Sequence, residues 1–149
     1  MTEPNPPFVH DEANESTGFL LWQVTTLWQR KITAALRPFG LTQVQFVLLV
    51  GLLWLGMSEP LITQVMLATH TKFDAMMTSQ VLRALEARGL VERRSHPQDS
   101  RAKILYLTAE GRALVSKALP VVDGTDTEFF ERIGKDAAQF NATLRALLD

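Results

Sequence analysis

The residues best equipped for catalysis or metal binding are three histidines, His10, His70 and His96, and their placement leaves them little to work with. They lie far apart in the sequence, no two stand four residues apart on one helix face, and a metal site needs such convergence. The chain has no cysteine, which excludes thiol catalysis, zinc ribbons, thiolate peroxide sensing and disulfides. It also lacks a Gly-rich phosphate loop and a G-x-S-x-G elbow. Each histidine reads as a solvated side chain. Neither catalysis nor a metal or other cofactor is expected.

A different chemistry is available between residues 72 and 103. Met76, Ser79, Gln80 and Arg83 recur at spacings of three and four, which sets them on one face of a helix. A small, mostly polar face of that kind can reach base edges in the major groove of duplex DNA. Lys72 stands just ahead of it, at a helix start where the dipole favours anions such as phosphate. Asp99 and Arg101 follow in a charged loop between Arg94 and Lys103. An arginine at such a tip can enter the narrow, electronegative minor groove of A·T-rich sequence. The charge pattern agrees. Residues 69–103 carry seven bases and four acids, whereas residues 1–29 carry four acids and no lysine or arginine. The formal net charge of −1 conceals a basic middle between acidic ends, which suits a polyanion partner.

These residues need elements to hold them. Residues 1–14 contain three prolines among polar turn formers and read as a flexible arm. From residue 15, Leu20, Val24, Leu27, Trp28, Ile32, Ala35 and Leu36 trace a helix that Pro38 and Gly40 end. Its apolar stripe also takes in Phe19, Leu21 and Trp22, more than one small domain can cover, so a partner helix is expected. Thr42 and Gln45 form a capping box, with Leu41 placed to staple onto Phe46, for a core helix through Leu55 that Ser58-Glu59-Pro60 breaks.

A short segment, Ile62 to Ala68, should be capped by Thr63 and pack through Val65, Met66 and Leu67. Thr69 to Lys72 reads as a turn. A helix then runs from about Asp74 to Arg88 and closes at Gly89, burying Val81, Leu82 and Leu85 with Met77 and Thr78 at the edge. Leu90-Val91 and Ile104–Leu107 read as two short strands around a charged loop. Thr108 caps a helix from Ala109 that Pro120 and Gly124 should bend or interrupt, and a last helix spans about Lys135 to Leu148. Short helix, tight turn, longer helix and charged hairpin make a winged helix-turn-helix. The fold expected is mainly α with a small β-hairpin wing.

The 149 residues suffice for one domain with an appended oligomerisation element. A chain of this size buries roughly 70% of its unfolded surface. A composition of 46% hydrophobic and 21% charged residues is ordinary for soluble proteins. The longest apolar run, Phe46 to Met57, falls short of the ~20 residues that span a bilayer. No basic stretch followed by an apolar core opens the chain. A cytoplasmic protein with no membrane partner is expected.

The stretch from Gly89 to Gly111 resembles the multiple-antibiotic-resistance regulator (MarR) family. It contains Gly89-Leu90-Val91-Glu92-Arg93, then Asp99-Ser100-Arg101, then Leu107-Thr108-Ala109-Glu110-Gly111, which are the family's G-L-V-x-R, D-x-R and L-T-x-x-G blocks in order. Leu41-Thr42-x-x-Gln45 and Leu67-Ala68 also match, and the resemblance covers roughly residues 18–148. It implies a homodimer acting as a transcriptional regulator, a repressor, on a pseudo-palindromic operator in double-stranded DNA. The chain would divide into a first dimerisation helix (15–40), a winged lobe (41–108) and C-terminal dimerisation helices (109–149).

The resemblance makes Arg101 a wing-tip contact, Asp99 its orienting partner, and Arg93 a structural or phosphate-pairing arginine. The recognition helix departs from the family pattern, since Ala75 to Gln80 stands where a Ser/Thr-rich, often arginine-containing run is usual. The resemblance also implies release by a small aromatic or other organic effector, for which Trp22, Trp28, Phe46 and Trp54 are the candidate lining. Two other functions share this fold expectation: a winged helix that binds protein, and a helical ligand-binding dimer without DNA activity.

Overall fold

The computed structural model describes residues 7–149. The first six residues of the expected arm lie outside the described residues. Residues 7–12 have no regular structure, and Ala13–Glu15 form one 3-10 turn.

Helix α1 (Thr17–Leu36) starts where the Ser16 hydroxyl accepts the Phe19 N–H, and it ends in a 3-10 turn, Arg37–Phe39, with Gly40 at φ 63°. Only Ile32 and Leu36 on this helix are buried. Helix α2 (Gln43–Leu55) begins with the expected capping box, Gln45 N–H to Thr42 Oγ1 at 3.1 Å and Thr42 N–H to Gln45 Oε1 at 3.1 Å. Its Leu48 and Leu49 are inaccessible to solvent, and it packs against every other helix except the last and against the hairpin. None of the helices among the described residues is long and apolar enough to cross a membrane by itself.

Helix α3 (Gln64–Thr71), capped by Thr63, is longer than the expected segment and reaches Thr71. The turn to the next helix shrinks accordingly to Lys72 and Phe73, with Lys72 in the left-handed region at φ 62°. Val65 was expected in the core and instead faces solvent, 74% exposed, because Leu67 is the residue α3 turns inward. Helix α4 (Ala75–Ala87) buries Thr78, Leu82 and Leu85. Thr78 thus sits at the centre of the buried face rather than at its edge. Its hydroxyl is satisfied by the Asp74 carbonyl at 2.8 Å, which removes the cost of burying it.

Strands β1 (Val91–Ser95) and β2 (Lys103–Leu107) pair antiparallel, Val91 opposite Leu107 and Ser95 opposite Lys103. The first strand is longer than Leu90-Val91 because backbone pairing carries Glu92 to Ser95 into the ladder despite their charge. The Leu105 N–H also bonds the Ile62 carbonyl at 2.8 Å, and Thr63 bridges Ile104, so the hairpin is tied to the start of α3. A two-stranded hairpin is marginal alone. This third segment anchors it.

Helix α5 (Ala109–Phe129) is capped by Thr108 and runs through both Pro120 and Gly124 without interruption. An interruption at Pro120 or Gly124 does not occur. Proline removes one intrahelical hydrogen bond, while Val115, Ala118 and Val122 on either side stay buried and hold the helix in register. Gly111 in its first turn is sterically required, since a Cβ there would stand 2.1 Å from the Leu90 carbonyl oxygen. A 3-10 stretch, Glu131–Asp136, turns at Gly134 (φ 57°) into α6 (Ala137–Ala146), which buries no residue.

Candidate nucleic-acid interface

The site is assembled from three local devices. The Asp74 carboxylate accepts the Met77 N–H at 2.7 Å and fixes the first turn of α4. With Thr78, Leu82 and Leu85 turned inward, the helical period leaves Met76, Gln80 and Arg83 exposed and Ser79 half-buried. The Arg83 guanidinium leans back toward the Ser79 hydroxyl at 3.5 Å, the limit of a hydrogen bond.

The second device closes the wing. The His96 N–H bonds the Ala102 carbonyl at 3.1 Å, and the Ala102 N–H bonds the Asp99 carbonyl at 3.1 Å. The Asp99 carboxylate accepts the Arg101 backbone N–H at 3.0 Å. Asp99 therefore shapes the tip through the backbone and leaves the guanidinium alone. Among the described residues the ion pairs are Arg93–Glu86 and Arg94–Glu92, so Arg101 forms none. It is exposed and free to engage an anion.

The third device is a clamp. The Arg93 guanidinium reaches Glu86 of α4 at 3.4 Å and Gln64 of α3 at 3.5 Å, while its own N–H bonds Glu86 at 3.2 Å. Arg93 is largely covered and ties wing to helix pair, which is the structural role. Arg94 lies 4.4 Å over the Tyr106 ring and 2.6 Å from Glu92, which holds its guanidinium above its ordinary pKa. Arg93 is held between the wing and the helix pair, whereas Arg94 stays mostly exposed beside Glu92.

Between α3, the Lys72 turn and the end of the wing runs a groove of about 470 Å³. Lys72, Arg101 and Lys103 border it with Thr63 and Thr69, and no carboxylate lines it. Such a surface can hold a phosphate backbone by charge and hydroxyl hydrogen bonds. Lys103 was not among the sequence candidates. Its charge at the loop's end was the available signal, but its place beside Thr63 follows from the pairing of Thr63 with Ile104. Among the described residues no group of three His, Asp or Glu could hold a metal ion.

The four aromatic residues read as an effector lining do not meet in one cavity of the protomer. Phe46 is in the core, and Trp22 and Trp54 are 71% and 63% exposed. Trp28 is half-buried, with its indole N–H donating to Asp126 at 2.7 Å and its ring 6.5 Å from Phe130. A groove of about 810 Å³ does lie beside it, between α1, α5 and the start of α6, lined by Leu27, Lys31, Phe129, Phe130, Arg132 and Phe140 among others.

Comparison with known proteins gives this geometry its context. Residues 41–103 match the model of the MarR family. The chain is 46% identical over 117 residues to the uncharacterized HTH-type transcriptional regulator YdcH of Bacillus subtilis, covering 78% of this chain and 80% of that one. Its fold is similar to that of a MarR mutant from E. coli complexed with operator DNA, with TM-score 0.81 and 26% identity over 94% of this chain and 100% of that one. It is also similar to the transcriptional repressor CouR bound to a 23-mer DNA duplex, with TM-score 0.79 and 28% identity over 93% of this chain and 95% of the other. CouR from Rhodococcus jostii RHA1 bound to p-coumaroyl-CoA matches with TM-score 0.78 and 27% identity over the same shares.

Proposed function

This chain belongs to the MarR family of transcriptional regulators, and on that premise we propose that it is a homodimeric repressor that binds duplex DNA at a pseudo-palindromic operator and is released by a small organic effector. The observation that carries the DNA reading is the exposed α4 face beside a groove bordered by Lys72, Arg101 and Lys103, with no carboxylate in the groove. In this reading α4 enters the major groove, Met76, Ser79 and Gln80 face the bases, Arg83 contacts the DNA from the third turn of the helix, and Lys72 holds phosphate. Arg101 reaches the adjacent minor groove from a tip shaped by Asp99. That a MarR protein and CouR occur bound to DNA with the same fold supports it.

The dimer reading rests on apolar surface. Leu20, Leu21, Trp22 and Leu27 of α1 and Phe140, Leu144, Leu147 and Leu148 at the C-terminal end are all exposed in the protomer. Packed across a two-fold axis, they would form an obligate-type contact of more than roughly 2,000 Å². Repression is proposed by analogy with CouR, which is named a repressor. The small organic effector in this reading is supported by CouR bound to p-coumaroyl-CoA.

Selection of bound fragments from genomic DNA, beginning with the region upstream of the protein's own gene, tests the reading. The expected site is an inverted repeat with half-site centres about one helical turn apart, roughly 10–10.5 bp. Affinity should fall steeply with salt. Recovery of single half-sites holding one protomer each would overturn the dimeric operator, and salt-independent or absent duplex binding would overturn the DNA function.

A further inference from the structure

We infer that the operator half-site is read through thymine methyl groups and an adenine edge, by Met76 and Gln80, and not through guanine; the inference rests on the DNA-binding reading above. The first two turns of a recognition helix are the ones that reach base edges. Here those turns hold no cation: between Ala75 and Gln80 the exposed side chains are Ala75, Met76 and Gln80, with Ser79 half-covered. Arg83, the first arginine on α4, stands in the third turn and leans back on Ser79.

The chemistry of the two leading side chains is specific. Met76 is 72% exposed in the first turn of α4, ahead of Ser79, Gln80 and Arg83. Its flexible thioether is suited to an apolar surface of adaptable shape, and the apolar feature that a base pair offers in the major groove is the thymine C5 methyl. Among the described residues the Gln80 side chain makes no hydrogen bond, and it is exposed. Its amide can donate to N7 and accept from N6 of one adenine, the pairing geometry that glutamine satisfies best. Four residues of helix advance about 6 Å, against 3.4 Å per base step. Met76 and Gln80 therefore address bases about two steps apart, within one half-site.

The full-length protein is first used to select sites from a random duplex library at fixed salt. The half-sites should carry A·T pairs at two positions near their centres. Deoxyuridine then replaces thymidine at those positions, which deletes the methyl and nothing else. Wild-type affinity should drop about fourfold per methyl contacted, Met76→Leu should keep that sensitivity, and Met76→Ala should lose it. Gln80→Ala should flatten the adenine preference. Met76 and Gln80 are exposed, so melting temperature should not move in any of the variants. Enrichment of G·C at both positions, or a deoxyuridine penalty equally large in Met76→Ala, would overturn the inference while leaving DNA binding in place. Failure to bind any duplex at low salt would overturn both.

Discussion

The winged lobe and the helical base of this molecule follow opposite rules of burial. In the lobe, Leu48, Leu49, Leu67, Leu82 and Leu85 are completely covered, and the exposed apolar residues, Trp54, Val65 and Met76 among them, are spread over different helices. In the base, α1 buries two residues and α6 none, while Trp22, Leu27, Leu147 and Leu148 are each more than half exposed. The lobe completes its core within one chain. The base leaves its own unfinished, and apolar surface of that extent has to be covered by something. The difference separates two tasks: a rigid lobe to present side chains to DNA, and a base to set the distance between two lobes.

The largest effect should come from removing the unfinished part. A chain truncated after Gly124 loses Phe129, Phe130, Phe140 and all of α6, so the exposed apolar side of α1 loses the C-terminal segments that would cover it. Aggregated or unfolded protein is expected, measured by light scattering and circular dichroism. A well-folded monomer would show that the base is dispensable and that the contrast with the lobe means nothing.

Where the lobe meets α5, Gly111 stands against Leu90. A Cβ at 2.1 Å from a backbone oxygen has no flexible neighbour to push aside. Gly111→Ala should destabilise by about 3 kcal/mol, the upper part of the overpacking range, read from urea unfolding. Gly124→Ala is the control, because a Cβ there meets nothing within 4 Å. A helix-favouring alanine at 124 should be neutral or stabilise by up to about 1 kcal/mol. Equal effects at the two sites would remove the close approach as the reason for this glycine.

The wing contributes less to stability and more to binding. Arg101→Ala should cost about 1–3 kcal/mol of operator affinity at each wing, with melting temperature unchanged. It should also lower the slope of log affinity against log salt by about one for each phosphate left without its cation. Lys103→Ala should lower the slope in the same way without altering sequence preference, since it borders the groove and not the tip. An Arg101→Ala protein with unchanged affinity and slope would leave the wing as a structural hairpin only.

What could be read from the sequence was the chemistry that acts within a few residues. The caps by Thr42, Thr63 and Thr108 and the stop at Gly89 depend on neighbours three or four positions away, and all stand where cap and turn preferences put them. The exposed run of Met76, Gln80 and Arg83 followed from helical period alone. What could not be read depends on distant partners. Val65 looks like a core residue until Leu67 is seen to occupy the inward position. The strand through Ser95 needs Lys103 opposite it, and Pro120 is tolerated because α5 is held on both sides of it. The groove bordered by Lys72, Arg101 and Lys103 joins segments about 30 residues apart through one bridge at Thr63. The four aromatics grouped by type are scattered by packing.

The smallest effect, and the one that most sharply separates two accounts of the wing, lies at Asp99. If its carboxylate oriented the Arg101 guanidinium directly, Asp99→Asn would weaken binding by loosening an ion pair. In the structure the carboxylate instead accepts the Arg101 backbone N–H at 3.0 Å. Asparagine retains an oxygen in the same position, so the turn should survive the substitution. The negative charge does not survive it, and near a phosphate backbone its removal favours binding. Asp99→Asn should therefore change operator affinity by no more than about 0.5 kcal/mol, with non-specific affinity at low salt equal or slightly higher. Asp99→Ala removes the acceptor as well. The tip then loses one of the bonds that close residues 96–102, and the arginine must be ordered at the moment of binding, a cost of about 0.5–1.5 kcal/mol. Affinity for the selected operator and for an unrelated duplex, measured side by side, distinguishes the accounts. If Asp99→Asn loses as much as Asp99→Ala, the charge itself is the working group, either against the guanidinium in the complex or as an acceptor for a cytosine amine, and the backbone-turn account is wrong.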